Sequence, residues 1–185
     1  LPAGYAPYNV SIMRGRVYVA YAKQDDAAED DVAGAGFGYV DIFSMNGKFQ
    51  KRLISGGALN APWAMVMAPQ NFGGFGHALL VGNFGDGTIN AFDAGSGNYL
   101  GTLQDEQAAP IVIEGLWGLA FRNAEGEGDD DDDDRDRDPA LYFTAGIEDE
   151  EHGLIGTLSL VRSRPMNSAA LVAPMTDAEA PLRVT

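Results

Sequence analysis

Cysteine is absent from this sequence of 185 residues, cations are scarce, and long apolar runs are missing. Without cysteine, disulfides and thiolate metal ligands are excluded. No apolar stretch approaches the roughly 20 residues that a membrane-spanning helix needs. Twelve Lys and Arg against 27 Asp and Glu give a net charge of −15. Such a surface repels phosphate backbones and anionic lipid headgroups, so it argues against nucleic-acid or membrane binding and favours cations or basic partners.

The sequence motifs of common catalytic sites are also missing. It contains no Gly-x-Ser-x-Gly nucleophile elbow, no His-Glu-x-x-His zinc pair and no phosphate-binding Gly-x-x-x-x-Gly-Lys loop. The glycine-rich segment 73–76 lacks the following helix of a dinucleotide site, so we expect it to be a connection between strands.

Glycine, by contrast, is abundant, and its 24 residues recur beside short apolar runs that repeat along the chain. One motif, with an aromatic residue at its third position, occurs at 6–12, 61–67 and 115–121. Pro7 precedes Pro62 by 55 positions, and Pro62 precedes Leu116 by 54. A period of about 50 residues built from short strands is typical of β-propeller blades.

Further strands follow each copy of the motif in the same order. The pattern predicts second strands at 16–20, 78–82 and 140–144, third strands at 38–43, 87–92 and 153–158, and fourth strands at 49–54 and 99–103. Turn sequences, Asn46-Gly47 and 95–97, lie where hairpins need them. The sequence therefore predicts an all-β fold of three four-stranded antiparallel propeller blades, at about 1–56, 57–108 and 109–161.

Three blades are too few to close a ring, because propellers typically need four to eight. We therefore expect further blades upstream of Leu1 or self-association of the chain. A start at Leu rather than Met is compatible with a removed signal peptide or with a missing N-terminal portion. The tail, 162–185, is expected either to supply a closing strand or to run loosely over the surface.

Three runs of the sequence, at 1–9, 79–87 and 115–121, resemble a group of predicted exported proteins with NHL-like propeller repeats. The resemblance covers much of 1–158 and implies the C-terminal half of a propeller of about six blades. It also implies export, hence a secreted or periplasmic protein, and it supplies no catalytic residues. The acidic run near residue 130 and the tail depart from the pattern.

Acidic residues concentrate in the three loops that join second to third strands, and equivalent propeller loops share one face. We expect these carboxylates to lie around one mouth, where oxygen ligands suit Ca²⁺. The alternative is plain solvated surface charge, since no loop has the spacing of an EF-hand. The candidate metal ligands are Asp25, Asp26, Asp30, Asp31, Asp86, Glu148 and Asp149.

His152 follows the third acidic loop and is the candidate general acid or base. It supports a second hypothesis, a metal-assisted hydrolase or lyase resembling propeller lactonases, which needs His152 and two acids from different loops within about 6 Å of one cation. The first hypothesis is a non-catalytic binding or scaffold propeller with a protein, peptide or glycan partner. A third treats the acidic surface as an adaptation to salt or as a means of solubility, with no binding site at all.

Two further features have structural and functional interpretations. The recurring aromatic residues Tyr8, Trp63 and Trp117 are expected to pack between neighbouring blades, with a substrate platform as the alternative. The aspartate run 129–134 is expected in a solvated loop on the opposite face, with loose cation sequestration as the alternative.

Overall fold

The computed structural model of the chain describes residues 1–121, 139–148 and 150–161, and the backbone of 182–184. In these residues twelve strands form three four-stranded antiparallel sheets, which confirms the predicted all-β class and the four-stranded units. The segment 73–76 connects two strands as expected, through a 3-10 turn at Gly73–Phe75.

Each sheet is built from four strands that are consecutive in the sequence. The first contains β1 (Tyr5–Met13), β2 (Arg16–Lys23), β3 (Gly38–Ser44) and β4 (Phe49–Ser55). The second contains β5 (Pro62–Met67), β6 (Leu79–Asn83), β7 (Ile89–Phe92) and β8 (Tyr99–Thr102). The third contains β9 (Leu116–Phe121), β10 (Ala140–Ile147), β11 (His152–Leu160) and β12 (Leu182–Val184), so its fourth strand comes from the tail.

The second sheet lies between the other two, and its side chains are buried on both faces. Along β6, Leu79 and Val81 pack into one apolar cluster with the first sheet, while Leu80 packs into another with the third sheet. Successive residues of a strand point to opposite faces, so a strand covered on both sides is buried along its whole length and is mostly apolar. All five residues of β6 are buried, as this arrangement requires.

Each outer sheet has one face that the described residues leave uncovered. In β1, the Ser11 hydroxyl donates a hydrogen bond to the Met65 carbonyl of the second sheet, so Val10 and Ile12 point the other way and are 60% and 66% exposed. In the third sheet, Tyr142 and Ile155 lie opposite the buried face and are 38% and 73% exposed.

The uncovered face of the first sheet also carries a buried ion pair. Arg52 Nε donates to Asp41 Oδ1 at 2.8 Å and its terminal nitrogen to Asp41 Oδ2 at 3.0 Å, while the guanidinium lies 4.4 Å from the Tyr39 ring centroid. The hydrogen bond to Asp41 is the main cause that raises the pKa of Arg52. Asp41 is 3% exposed, so this pair neutralises a charge that would otherwise be costly to bury.

The packing of the first two sheets requires glycine at position 97. Gly97 has φ +78° in the β7–β8 hairpin, and a Cβ there would overlap the Leu53 carbonyl oxygen of the first sheet. Gly47 has the matching φ of +81° in the β3–β4 hairpin, but a Cβ there meets nothing within 4 Å. Substitutions at these two glycines therefore distinguish the cost of left-handed backbone strain from the cost of disturbing the contact between the sheets.

We expect Gly97→Ala to lower the free energy of unfolding by about 2–4 kcal/mol, because left-handed strain of about 1 kcal/mol adds to overpacking of about 1–3 kcal/mol. Gly47→Ala should lower the free energy of unfolding only by the left-handed strain of about 1 kcal/mol. Urea denaturation of both variants measures the difference. Equal losses in the two variants would contradict this account of the contact.

Candidate functional site

The loops between second and third strands, 24–37, 84–88 and 148–151, form what we call the acidic end. A side chain from the connection between the first two sheets, Asn60, joins two of these loops. Its Oδ1 accepts a hydrogen bond from the Gly34 amide at 2.6 Å, and its Nδ2 donates to Asp86 Oδ2 at 3.0 Å. The sequence analysis missed Asn60, because a single Asn in a connection carries no periodic signal.

Two of the predicted metal ligands are engaged within their own loops. Asp25 Oδ1 accepts a hydrogen bond from the Glu29 amide at 3.0 Å, and Asp86 Oδ1 accepts from the Thr88 amide at 3.0 Å and hydroxyl at 2.6 Å. Such bonds shape the turns that contain them. Asp26 and Asp30 are exposed, and Asp149 lies outside the described residues.

The acidic loops of the first and third sheets interact electrostatically through Asp31 and Glu150. Burial is the main cause that raises the pKa of Asp31, and the charges of Asp30 and Glu150 raise it further. Carboxylates that share a site disfavour one another's charged forms. Glu150 was not among the predicted ligands, and its φ of +67° belongs to the left-handed region that few residues other than glycine adopt.

The candidate acid or base, His152, pairs with an acid of its own loop. Its Nε2 lies 3.4 Å from Glu148 Oε2, and the two side chains are 65% and 69% exposed. Among the described residues, no group of three or more His, Asp or Glu side chains is arranged to hold a metal ion. Calcium binding and metal-assisted hydrolysis therefore stay predictions.

The recurring aromatic residues occupy the same irregular position in all three sheets. Partners along β1 and β2 pass from Pro7 and Tyr21 directly to Asn9 and Ala20, so Tyr8 is an extra residue in the ladder. The pairing of β5 with β6 skips Trp63 in the same way, and that of β9 with β10 skips Trp117. An extra residue of this kind is a β-bulge, which redirects a side chain and is common beside functional sites.

Contacts between sheets explain in part why an aromatic residue recurs at this bulge. The Tyr8 and Trp63 rings meet edge to face with centroids 5.3 Å apart, which confirms for this pair the predicted packing between neighbouring sheets. Trp63 also lies 5.9 Å from the Phe84 ring of the second loop. All three bulge residues remain partly exposed.

The bulge residues and the acids form one connected group. Trp117 Nε1 donates a hydrogen bond to Glu150 Oε1 at 3.0 Å, and Glu150 is close enough to Asp31 to affect its pKa. Burial raises the pKa of Tyr8, and the charges of Asp31, Asp30 and Asp25 raise it further. Tyr8 of the first sheet and Trp117 of the third thus interact with carboxylates at one end of the molecule, and Trp63 of the second sheet contacts Tyr8 there.

The combination of carboxylates and aromatic rings is suited to bind a cationic side chain. Carboxylates attract a cation, and aromatic faces add a cation–π attraction together with apolar contact for the stem that carries the charge. One such contact already exists at the acidic end, where Lys23 Nζ lies 4.2 Å from the Phe37 ring centroid.

Comparison with known proteins finds relatives in a virus. The chain is 36% identical over 159 residues to "Uncharacterized protein R648" and 34% identical over 159 residues to "Uncharacterized protein L690", both of Acanthamoeba polyphaga mimivirus. Each match covers 85% of this chain but only 36% and 39% of those proteins, so the chain spans little more than a third of their length. No family model matches the chain, and no solved structure matches it.

In the described part of the chain, no helix is long and apolar enough to cross a membrane.

The raised pKa of Asp31 predicts a stability effect with a defined sign. Between the ordinary Asp pKa of 3.8 and the raised value, the folded state binds more protons than the unfolded state, so stability falls as pH rises through this window. We expect Asp31→Asn to increase the free energy of unfolding at pH 7, with the gain shrinking to nothing below pH 3.8. Denaturation across this pH range measures it.

Asp26→Asn is the matched control, because it removes the same charge from an exposed position of the same loop. It should change stability much less. A loss of stability at neutral pH in Asp31→Asn would contradict the account that burial and neighbouring charges disfavour the charged form of Asp31.

Proposed function

We propose that this protein is a non-catalytic β-propeller binding protein whose acidic end holds a basic segment of a partner protein. The observation that carries the proposal is the connected group of bulged aromatic residues and carboxylates, contributed by three sheets. Tyr8, Trp63 and Trp117 occupy equivalent positions, and two of them are tied to acids by hydrogen bonding or by charge.

The arrangement of the sheets supports the propeller architecture. Each sheet contains four consecutive antiparallel strands, the sheets stack face to face, and the first strands are neighbours, with β1 in contact with β5 and β5 with β9. The uncovered apolar residues of the outer sheets, including Val10 and Ile155, suit further blades or a second copy of the chain that would close the ring. The greater length of the viral relatives is consistent with further blades.

The ligand class follows from charge and chemistry. A net charge of −15 steers basic partners toward the protein, while carboxylates beside aromatic rings favour Lys or Arg side chains over neutral groups. The repulsion around Asp31 also fits a binding role, because a cationic ligand would relieve it.

Export and a Ca²⁺ ion at the acidic end remain part of the proposal as predictions. The alternative of a metal-assisted hydrolase needs His152 together with acids of different loops. The observed partner of His152 is Glu148 of the same loop, so this contact does not support the hydrolase alternative.

Tryptophan fluorescence tests the proposal directly, because the two tryptophans of the chain are both bulge residues of the acidic end. We expect a short peptide of alternating Arg and Gly to change the emission in a saturable way. The same peptide with citrulline in place of Arg keeps the shape without the charge and should bind at least about tenfold more weakly.

Variants separate the site from general electrostatic attraction. Asp31→Asn and Trp63→Leu should each weaken the Arg peptide about three- to tenfold, whereas Asp26→Asn should change its affinity less than twofold. Equal effects of Asp31→Asn and Asp26→Asn, or equal binding of the two peptides, would reject the acidic end as a binding site for basic segments.

A further inference from the structure

A second concave surface lies at the end of the first two sheets opposite the acidic end. It is a cleft of about 280 Å³ lined by Arg14, Arg16, Tyr18, Ala94 and Gly95, which we call the basic cleft. One wall is the β1–β2 hairpin of the first sheet, and the other is the β7–β8 hairpin of the second.

Basic side chains of the described residues concentrate around the basic cleft, whereas the aspartate run 129–134, expected at this same end, lies outside the described residues. Of the Lys and Arg side chains that the structure describes, four lie at this end: Arg14, Arg16, Lys48 and Lys51. Within the described part of the chain, neither Arg14 nor Arg16 has a carboxylate partner. The Arg14 guanidinium instead lies 3.5 Å from His77 Nδ1, and Lys51 donates a hydrogen bond to the Gly95 carbonyl.

Arg14 and its contact residue His77 both have positive φ. Arg14 has φ +48° and His77 has φ +66°, so both members of this contact between two sheets lie in the left-handed region. For Arg14 this follows from the hairpin itself, because Arg14 and Gly15 form the two-residue turn between the paired residues Met13 and Arg16, and such a turn requires positive φ at both positions.

The basic cleft also contains a polar group that lacks a partner. Tyr18 is only 3% exposed, it lines the cleft, and its hydroxyl makes no hydrogen bond with any described residue. Among the described residues no side-chain oxygen is both fully buried and unpaired, so this hydroxyl is reachable from the cleft and free to donate to a ligand there.

Asp93, which precedes the lining residue Ala94, is engaged in its own hairpin. Asp93 Oδ1 accepts hydrogen bonds from the amides of Gly95 at 3.1 Å and Ser96 at 2.6 Å and from the Ser96 hydroxyl at 2.8 Å. The Ser96 amide bond is the largest cause that lowers the pKa of Asp93, with a smaller contribution from Lys51. This carboxylate therefore shapes the β7–β8 hairpin.

We propose that the basic cleft binds a tetrahedral oxyanion, a phosphate or sulfate group, either free or as a monoester. Arg14 and Arg16 supply charged donors in fixed planar geometry, which suits such oxyanions, and the Tyr18 hydroxyl supplies a further donor. The net charge of −15 repels anions from the surface as a whole, so binding at this place requires local recognition. The inference is independent of the function of the acidic end.

Calorimetric titration of the chain with inorganic phosphate, at ionic strength held constant with chloride, tests the proposal. We expect saturable binding at one site. Arg14→Gln and Arg16→Gln should each weaken it about tenfold, as expected for the loss of a charged hydrogen bond. Both side chains are exposed, so the variants should fold, which far-ultraviolet circular dichroism and melting temperature would verify.

Lys48→Gln is the matched control, because Lys48 lies at the same end but does not line the cleft. It should weaken phosphate binding less than twofold, and Tyr18→Phe should weaken it several-fold. Titrations with sulfate and with O-phosphoserine distinguish a free anion from a monoester, and saturable binding of either one supports the proposal. Binding that does not saturate, or an effect of Lys48→Gln as large as that of Arg16→Gln, would overturn it.

Discussion

The structure depends on the burial of the second sheet between the first and the third. A five-residue strand such as β6 can be apolar on both faces only if a sheet covers each of them, and here Leu79 and Leu80 contact different neighbours. Burial of apolar side chains contributes about 25 cal/mol for each Å² removed from water, so this two-sided contact dominates the association of the sheets. The outer sheets have one such contact each and leave apolar residues such as Val10 and Ile155 exposed.

The same stacking creates the two ends on which the functional proposals rest. Sheets that lie face to face bring equivalent loops side by side, so short polar connections from different sheets meet. At one end, Asn60 links the loops of the first two sheets, and Asp31 approaches Glu150. At the other, the β1–β2 and β7–β8 hairpins border a cleft that contains Arg14 and Arg16.

Among the described residues, acidic and basic side chains concentrate at opposite ends. The acidic end combines carboxylates with partly exposed aromatic rings, whereas four of the described basic side chains lie at the opposite end. In both places the arrangement costs stability. Asp31 is held near other acids, and Arg14 and His77 lie in the left-handed region. Such local costs are tolerated when the surrounding packing is strong, and they are more common at binding sites than elsewhere.

The sequence by itself determined the strands and their grouping, because alternation of apolar residues and turn chemistry are local properties. The third-strand prediction at 38–43 corresponds to β3 (Gly38–Ser44), and the fourth-strand prediction at 49–54 to β4 (Phe49–Ser55). The acidic loops were also evident, although Asp25 and Asp86 proved to shape their own turns. For the fourth strand of the third sheet, the tail 162–185 was one expected source of a strand, but its residues could not be assigned, since Leu182–Val184 is short and distant in sequence from its partner β11.

Only the tertiary structure decided how these parts meet. A β-bulge is a difference in register between two paired strands, so no single strand sequence reveals that Tyr8, Trp63 and Trp117 are the extra residues. The approach of Glu150 to Asp31, and of Arg14 to His77, likewise depends on how one sheet stacks on another. Local sequence determines which residues form strands, whereas contacts between sheets arise from packing that no local pattern encodes.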